Sequence, residues 1–264
     1  MAEIRLRADA FDSFAAGYDQ GFAHSEPGRF LRRLVWERLQ PFLRPGMRAL
    51  DLGCGTGEDA VWLAGAGCEV VAADASPAML DVAWRKAMEQ GVGDRVETRL
   101  FDLNAPADID GPFDLVMSNF GALNCAVDLA PIADGLRRMV APGGVVALVV
   151  MGRFCAWETL WHGARLSRTS VRRWSGRGSA AIGERTIPIR YWQPGEVIRA
   201  LGPTFTTLSV QPVGLFLPPS DLFPFLARHP GLFRRLAGWE RRAAAGARLA
   251  DHHLTILRQE DARS

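Results

Sequence analysis

Lysine is almost missing from this 264-residue sequence: Lys86 stands alone among 31 basic residues. Its positive charge is therefore nearly all guanidinium, which suits anionic groups and aromatic faces. No basic run is interleaved with aromatics, so a nucleic-acid patch is disfavoured. Cysteine is sparse and scattered, at Cys54, Cys68, Cys125 and Cys155, with no CxxC pair. That excludes the spacing of a zinc cluster or a disulfide framework and leaves reduced thiols. The histidines (His24, His162, His229, His252, His253) show no HExxH or other ligand spacing, and no metal is expected. The longest clean apolar run, 145–151, falls far short of the ~20 residues a membrane helix needs. The first residues, Met-Ala-Glu-Ile-Arg, lead into no apolar segment. No secretory signal is therefore expected, and the expected location is cytoplasmic.

What is present is an ordinary globular composition, 48% apolar and 23% charged. A chain of this size can bury a core without staples. Charge is unevenly placed: residues 1–152 hold 14 basic and 21 acidic side chains, net −7, and residues 153–264 hold 17 and 8, net +9. The solvated-face reading of the later arginines outweighs the nucleic-acid one. No repeat or low-complexity tract is visible.

The first 45 residues read as helical, with apolar positions at Phe30, Leu31, Leu34, Val35, Leu39 and Phe42, and Pro45-Gly46 stops them. An alternation follows. Strands are expected at 47–52, 68–73, 95–101, 113–118 and 145–151, and helices at 59–66, 77–89 and 130–140. Near-continuous apolar strands alternating with helices imply α/β architecture, a doubly wound parallel sheet buried on both faces. Its ligand belongs in the crevice beyond the carboxyl ends of the strands. After Arg153 the alternation breaks into a segment holding Trp157, Trp161, Trp174, Tyr191 and Trp192. Later strands are expected at 205–213 and 252–257, with helical residues from Pro218-Pro219 to about 249. Phe216, Leu217, Phe223, Phe225 and Leu226 suit either a pocket wall or the cap's own core. The organisation read is a helical segment over the site (1–45), a core (46–152), and late strands of the same domain (153–264). Cap insertions are expected at about 153–203 and 218–249.

The strongest local signal is Leu50-Asp51-Leu52-Gly53-Cys54-Gly55-Thr56-Gly57, ending the first strand. Glycine at every second position allows a sharp turn and close approach to a ligand, and the next helix points its positive end there. A dinucleotide loop wants GxGxxG, but here Glu58 and Asp59 follow and would repel a pyrophosphate; a phosphate-binding P-loop needs a Lys that is absent. The loop suits a neutral or cationic ligand. Asp74, 21 residues after Gly53, ends the second strand, where an acid accepts from both ribose hydroxyls. Asp102, after the third, can accept from an exocyclic amine. Met79 can pack on a purine face, and Asn119 follows the fourth strand, where an amino-acid-like tail could be held. Each has a plainer reading, as turn, cap or core residue. Three acids at successive strand ends outweigh those readings together.

These pieces resemble a class I S-adenosylmethionine-dependent methyltransferase of the small-molecule type. The likeness rests on 50–57, Val71-Ala72-Ala73-Asp74-Ala75-Ser76-Pro77-Ala78-Met79-Leu80, Phe101-Asp102-Leu103, Phe113-Asp114-Leu115-Val116 and the run from Leu136 to Gly144. Phe11-Asp12-Ser13-Phe14-Ala15-Ala16-Gly17-Tyr18-Asp19 resembles the family's opening segment, so the likeness covers about residues 10–152. It implies a Rossmann-like sheet of seven strands, the last antiparallel, with helical cap insertions among the late strands. It implies S-adenosylmethionine as cofactor and S-adenosylhomocysteine as product. Gly53, Cys54 and Gly55 would lie under the methionine part, Asp74 and Ala75 at the ribose, and Asp102 at the adenine amine. Met79 and Leu103 would cover the ring, Asp51 would act on the amino group, and Asn119 and Tyr18 would border the methyl. One departure stands out: the last two strands, a tight hairpin in the usual fold, are separated here by a long insertion.

The expected reaction is in-line methyl transfer to a small, apolar or aromatic acceptor held under the cap. It would work mainly by positioning, capable of up to ~7–11 kcal/mol. No base announces itself; Tyr18, His162 and Tyr191 are the weak candidates. A cofactor-binding regulator without turnover, and an RNA or protein methyltransferase using the basic half, stay open as alternatives. The acceptor tetrapeptide Asn-Pro-Pro-Tyr is replaced by Ser118-Asn119-Phe120-Gly121, which argues against amino groups of nucleic-acid bases.

Overall fold

In a computed structural model, which describes residues 11–13, 15, 25–105, 109–183 and 185–260, the first described helix starts where its sequence signals say. Ser25 Oγ accepts the Gly28 amide at 3.0 Å and Pro27 sits in the first turn of α1 (Glu26–Leu39), satisfying an otherwise orphaned donor. The apolar stripe Phe30, Leu31, Leu34, Val35 and Leu39 is buried. Then follow β1 (Arg48–Leu52), α2 (Glu58–Gly65), β2 (Glu69–Asp74), α3 (Pro77–Glu89), β3 (Val96–Leu100), β4 (Phe113–Ser118), α4 (Ala130–Met139) and β5 (Val140–Met151). At the head of α3, Ser76 Oγ accepts the Met79 amide at 3.1 Å, with Pro77 at the first helical position.

The sheet has seven strands in the order β3-β2-β1-β4-β5-β9-β8, where β8 is Phe205–Val213 and β9 is His252–Gln259. β1 to β5 pair in parallel, and β9 runs antiparallel to both β5 and β8. Alternation along β1 separates two cores. Leu50 and Leu52 face α4; Ala49 faces α1, α2 and α3. The order reverses between β1 and β4, so the crevice lies at their carboxyl ends.

After β5 come α5 (Ala156–Gly163) and then β6 (Arg177–Ile182) and β7 (Arg185–Arg190), an antiparallel hairpin forming its own two-stranded sheet. This hairpin is the element that the sequence reading did not find within 153–203. α6 (Pro194–Leu201), opened by a capping box between Gln193 and Glu196, packs on α4 and β8 rather than over the crevice. Buried Asn124 fastens the hairpin to the sheet. Its amide donates to Arg190 O at 2.6 Å and Met151 O at 3.1 Å, and its Oδ1 accepts from Met151 N.

Between β8 and β9 lie α7 (Phe223–Ala227) and α8 (Pro230–Arg242). Their buried faces join the α1 side of the sheet: Phe223, Leu226, Phe233 and Leu236 share its core, and Phe233 meets Phe30 edge-to-face at 6.0 Å. Phe223 and Leu226 therefore serve packing, and so does buried Leu217. Among the described residues no helix is long and apolar enough to cross a membrane.

Candidate functional site

The loop after β1 is shaped by three glycines in the left-handed region, Gly53 (φ +76°), Gly55 (φ +51°) and Gly57 (φ +81°). A Cβ on Gly53 would stand 2.3 Å from the Cβ of Ala122, in the turn after β4. Asp74, ending β2, accepts the Gly55 amide at 2.9 Å and the Ser76 amide at 3.0 Å. Burial raises its carboxyl above the usual range, against those two amides. The loop is thus pinned on one side by the neighbouring strand end and on the other by Ala122.

Above this loop opens a cavity of about 770 Å³. Gly53, Cys54, Gly55, Asp74, Ala75 and Met79 line it, together with Asp102, Leu103 and Asn119. Asp51 does not. It is buried below the loop on the face that Ala49 shares, and its Oδ2 has no hydrogen-bond partner among the described residues. Burial first, then Asp59, push its carboxyl well above the usual range, with Arg32 opposing. Tyr18 lies outside the described residues.

Glu58 and Asp59 count less against an anion than their sequence position suggests. Lys86 pairs with Glu58 at 2.7 Å. Asp59 pairs with Arg32 and accepts from Trp36 Nε1 at 2.6 Å, both from α1. Asn119 also donates its amide to Asp59 (3.1 Å), and its Oδ1 accepts from the Phe120 amide (3.0 Å). Its side chain therefore holds α2 and the turn after β4 together. Burial pushes the Cys54 thiol well up, so it stays protonated and is no nucleophile.

The other half of the cavity was hidden from sequence reasoning. The hairpin contributes Ala180, Ile182, Ile187 and Ile189, and β5 ends there with Met151. Beside this apolar wall sits a charged cluster drawn from three segments. Glu158 of α5 is buried and holds Arg172 and Arg173 at 2.8 Å each, and Arg173 reaches Asp251 at 2.8 Å. Asp251 Oδ2 lies 3.1 Å from His252 Nδ1. Burial would raise the Asp251 carboxyl, but Arg173 and His252 hold it well below the usual range. Of the weak base candidates, His162 lines the cavity 3.6 Å from Asp221. Tyr191 lines it as well, under the Arg173 guanidinium, and burial raises its phenol against that cation, so it is a poor base near neutrality. Among the described residues no cluster of His, Cys, Asp or Glu could hold a metal ion.

A family model described as a methyltransferase domain matches residues 49–144, the span from β1 into β5 that carries the loop, Asp74, Asp102 and Asn119. Over that span the chain is similar to a methyltransferase domain, and solved S-adenosylmethionine-dependent methyltransferases share its fold. The chain is 31% identical over 156 residues to a ubiquinone biosynthesis O-methyltransferase of Chelativorans sp. (strain BNC1), covering 59% of this chain and 57% of that protein. It is 26% identical over 144 residues to a tRNA 5-carboxymethoxyuridine methyltransferase of Escherichia coli (strain K12), covering 53% and 55%. It thus spans under two thirds of the length of these curated relatives. The methyltransferase fold extends further: a solved DhpI–S-adenosylhomocysteine complex covers 99% of this chain and 98% of its own, at TM-score 0.63 and 21% identity.

The residues of the matched span fit the cofactor of that complex. The Gly53 approach is one that a Cβ would block. Two carboxylates, Asp74 and Asp102, line the cavity with the apolar side chains Met79 and Leu103, and Asp51 carries a buried oxygen without a partner among the described residues.

Proposed function

We propose that the chain transfers a methyl group from S-adenosylmethionine to a small acceptor seated under the hairpin and α5. One observation carries this reading: the cavity runs without a break from the glycine loop and Asp74 to an apolar wall of Met151, Ile182, Ile187 and Ile189. Ligand pockets of this kind combine apolar lining with a few placed polar groups.

In this reading the strand ends divide the work. Asp74 would accept from the ribose hydroxyls and Asp102 from the adenine amine, with Met79 and Leu103 on the ring faces. Gly53, Cys54, Gly55 and Ala75 would present backbone to the nucleoside and its tail. Asp51 would act through the loop from below, since it does not line the cavity, and its orphaned Oδ2 would gain a water or ammonium partner. Asn119 would position the turn beside the methyl group rather than hold the tail, because Asp59 takes its amide. When bound, the cofactor supplies a methyl carbon on a cationic sulfur, open to in-line displacement. The chain's part is alignment and exclusion of water. The apolar wall of the hairpin supports an apolar or aromatic small molecule over a polymer.

Isothermal titration with S-adenosylhomocysteine tests the foundation. Saturable binding is expected, and Asp74→Ala is expected to weaken it at least ~30-fold, through lost charge-assisted bonds of roughly 2 kcal/mol or more. An absence of heat at millimolar ligand, or an affinity indifferent to Asp74→Ala, would reject the site.

A further inference from the structure

We infer that His252 is the general base of this site and that the acceptor group is a hydroxyl, a step that rests on the methyl-transfer reading above. Topology places the residue. β9 is antiparallel among parallel neighbours, so its first residue stands at the rim where the others end. His252 pairs in register with Met151, the last residue of β5, and with Val213, the last of β8. Its ring meets Phe120 edge-to-face at 5.4 Å. Phe120 follows Asn119 in the turn whose Ala122 abuts Gly53. The imidazole therefore lines the cavity between the glycine-loop half and the hairpin half.

Its surroundings set its chemistry. Asp251 Oδ2 lies 3.1 Å from Nδ1, an ion-pair distance without hydrogen-bond geometry; the negative charge beside Nδ1 still favours the proton there, leaving the lone pair on Nε2. Asp251 is fixed in turn by Arg173 at 2.8 Å, and Arg173 by Glu158. Of the other charged groups nearby, Arg172 is engaged by Glu158. Arg32 lies behind Phe120, 5.3 Å from its ring centroid. His253, on the opposite side of the strand, is tied to Thr255 and Trp192. This is the logic of a base oriented by a third group. An amine acceptor needs only to be neutral, whereas a hydroxyl needs its proton taken.

The step balances. The hydroxyl oxygen forms a bond to the methyl carbon while the carbon–sulfur bond breaks and its electron pair stays on sulfur. The hydroxyl proton passes to His252 Nε2, and Asp251 stabilises the imidazolium. The products are a methyl ether, the neutral thioether and protonated His252, which then loses its proton to water.

The test uses the full chain loaded with S-adenosylhomocysteine, and 4-nitrophenol as a hydroxyl probe that turns yellow on ionising. At a pH about one unit below the probe's own pKa, a saturable phenolate band is expected. It should fall about tenfold in His252→Gln and persist in His229→Gln, whose histidine lies outside the cavity. No saturable band, or one of equal strength in His252→Gln, overturns the inference. The S-adenosylhomocysteine titration made beforehand reads the cofactor site separately, so its failure would remove the methyl-transfer reading itself. Should His252→Gln lose that binding, nitrogen-15 imidazole spectra of the unaltered chain decide. An Nδ1–H tautomer whose Nε2 signal moves with the probe supports the assignment, and an Nε2–H tautomer, or a signal indifferent to the probe, overturns it.

Discussion

Gly53 shows how much one missing side chain can carry. Its φ of +76° is costly for any L-residue with a Cβ, and the added carbon would fall 2.3 Å from Ala122. Gly53→Ala is therefore expected to lower stability by about 2–3 kcal/mol and to weaken S-adenosylhomocysteine at least ~10-fold, read by thermal melting and titration. Gly65, at the end of α2, meets nothing within 4 Å, so Gly65→Ala is expected to be neutral or stabilising by up to ~1 kcal/mol. Equal effects at both positions would mean that loop shape does not govern the site. That Gly53, Gly55, Asp74 and Asp102 line the cavity was legible because each ends or follows a strand. The direction of Asp51 was not, because strand alternation places it under the loop on the α1 side. The partners of Glu58 and Asp59 were hidden too: Lys86 and Arg32 come from 28 and 27 residues away.

Among the elements, α8 is anchored by one buried carboxylate. Glu240 accepts four backbone amides of the turn after β8: Gly214 (2.8 Å), Leu215 (3.2 Å), Phe216 (2.7 Å) and Leu217 (3.1 Å). Removing it strands those donors in a buried setting. Glu240→Ala is expected to cost about 3 kcal/mol and to lower the melting temperature by roughly 6–12 °C, with cofactor binding in the surviving native protein unchanged. A melting temperature within ~2 °C of the parent would show the nest to be dispensable. The parallel strands and their helices could be read from the chain because each is a continuous apolar run bounded by its own turn and cap residues. The hairpin of β6 and β7 could not, since Ile187 and Ile189 carry the only strong alternation and Pro188 stands between them. The acceptor half of the cavity stayed equally dark. Glu158, Arg173 and Asp251 look like ordinary solvated charges in sequence, and only folding buries them together.

For the whole molecule, the last strand inserts between β5 and β8 and joins the late segments, net basic, to the acidic first half. Arg241 of α8 meets Glu37 of α1 at 3.1 Å, and Arg38 donates to Pro212 O at 2.6 Å. β9 also carries a pH sensitivity. His253 is fully buried between Thr255 Oγ1 and Trp192 O, each 3.0 Å away. Burial pushes its pKa down to about 4, so the folded chain keeps it neutral where the unfolded chain would protonate it. A depressed folded value means that the stability is intact above the unfolded value of ~6.5 and is lost as pH falls toward the folded one. Asp251, held low by its cations, adds the same sign at still lower pH. Asp51 and Asp74 are raised and take the opposite sign, so the total curve mixes both. Comparison with His253→Gln removes that mixture. The stability advantage of the parent over this variant is expected to shrink by about 2.5 kcal/mol between roughly pH 7.5 and pH 4.5, read by urea unfolding at each pH. A difference that stays constant across that interval would mean that folding leaves the proton affinity of His253 unchanged, and that its burial does not require the neutral ring.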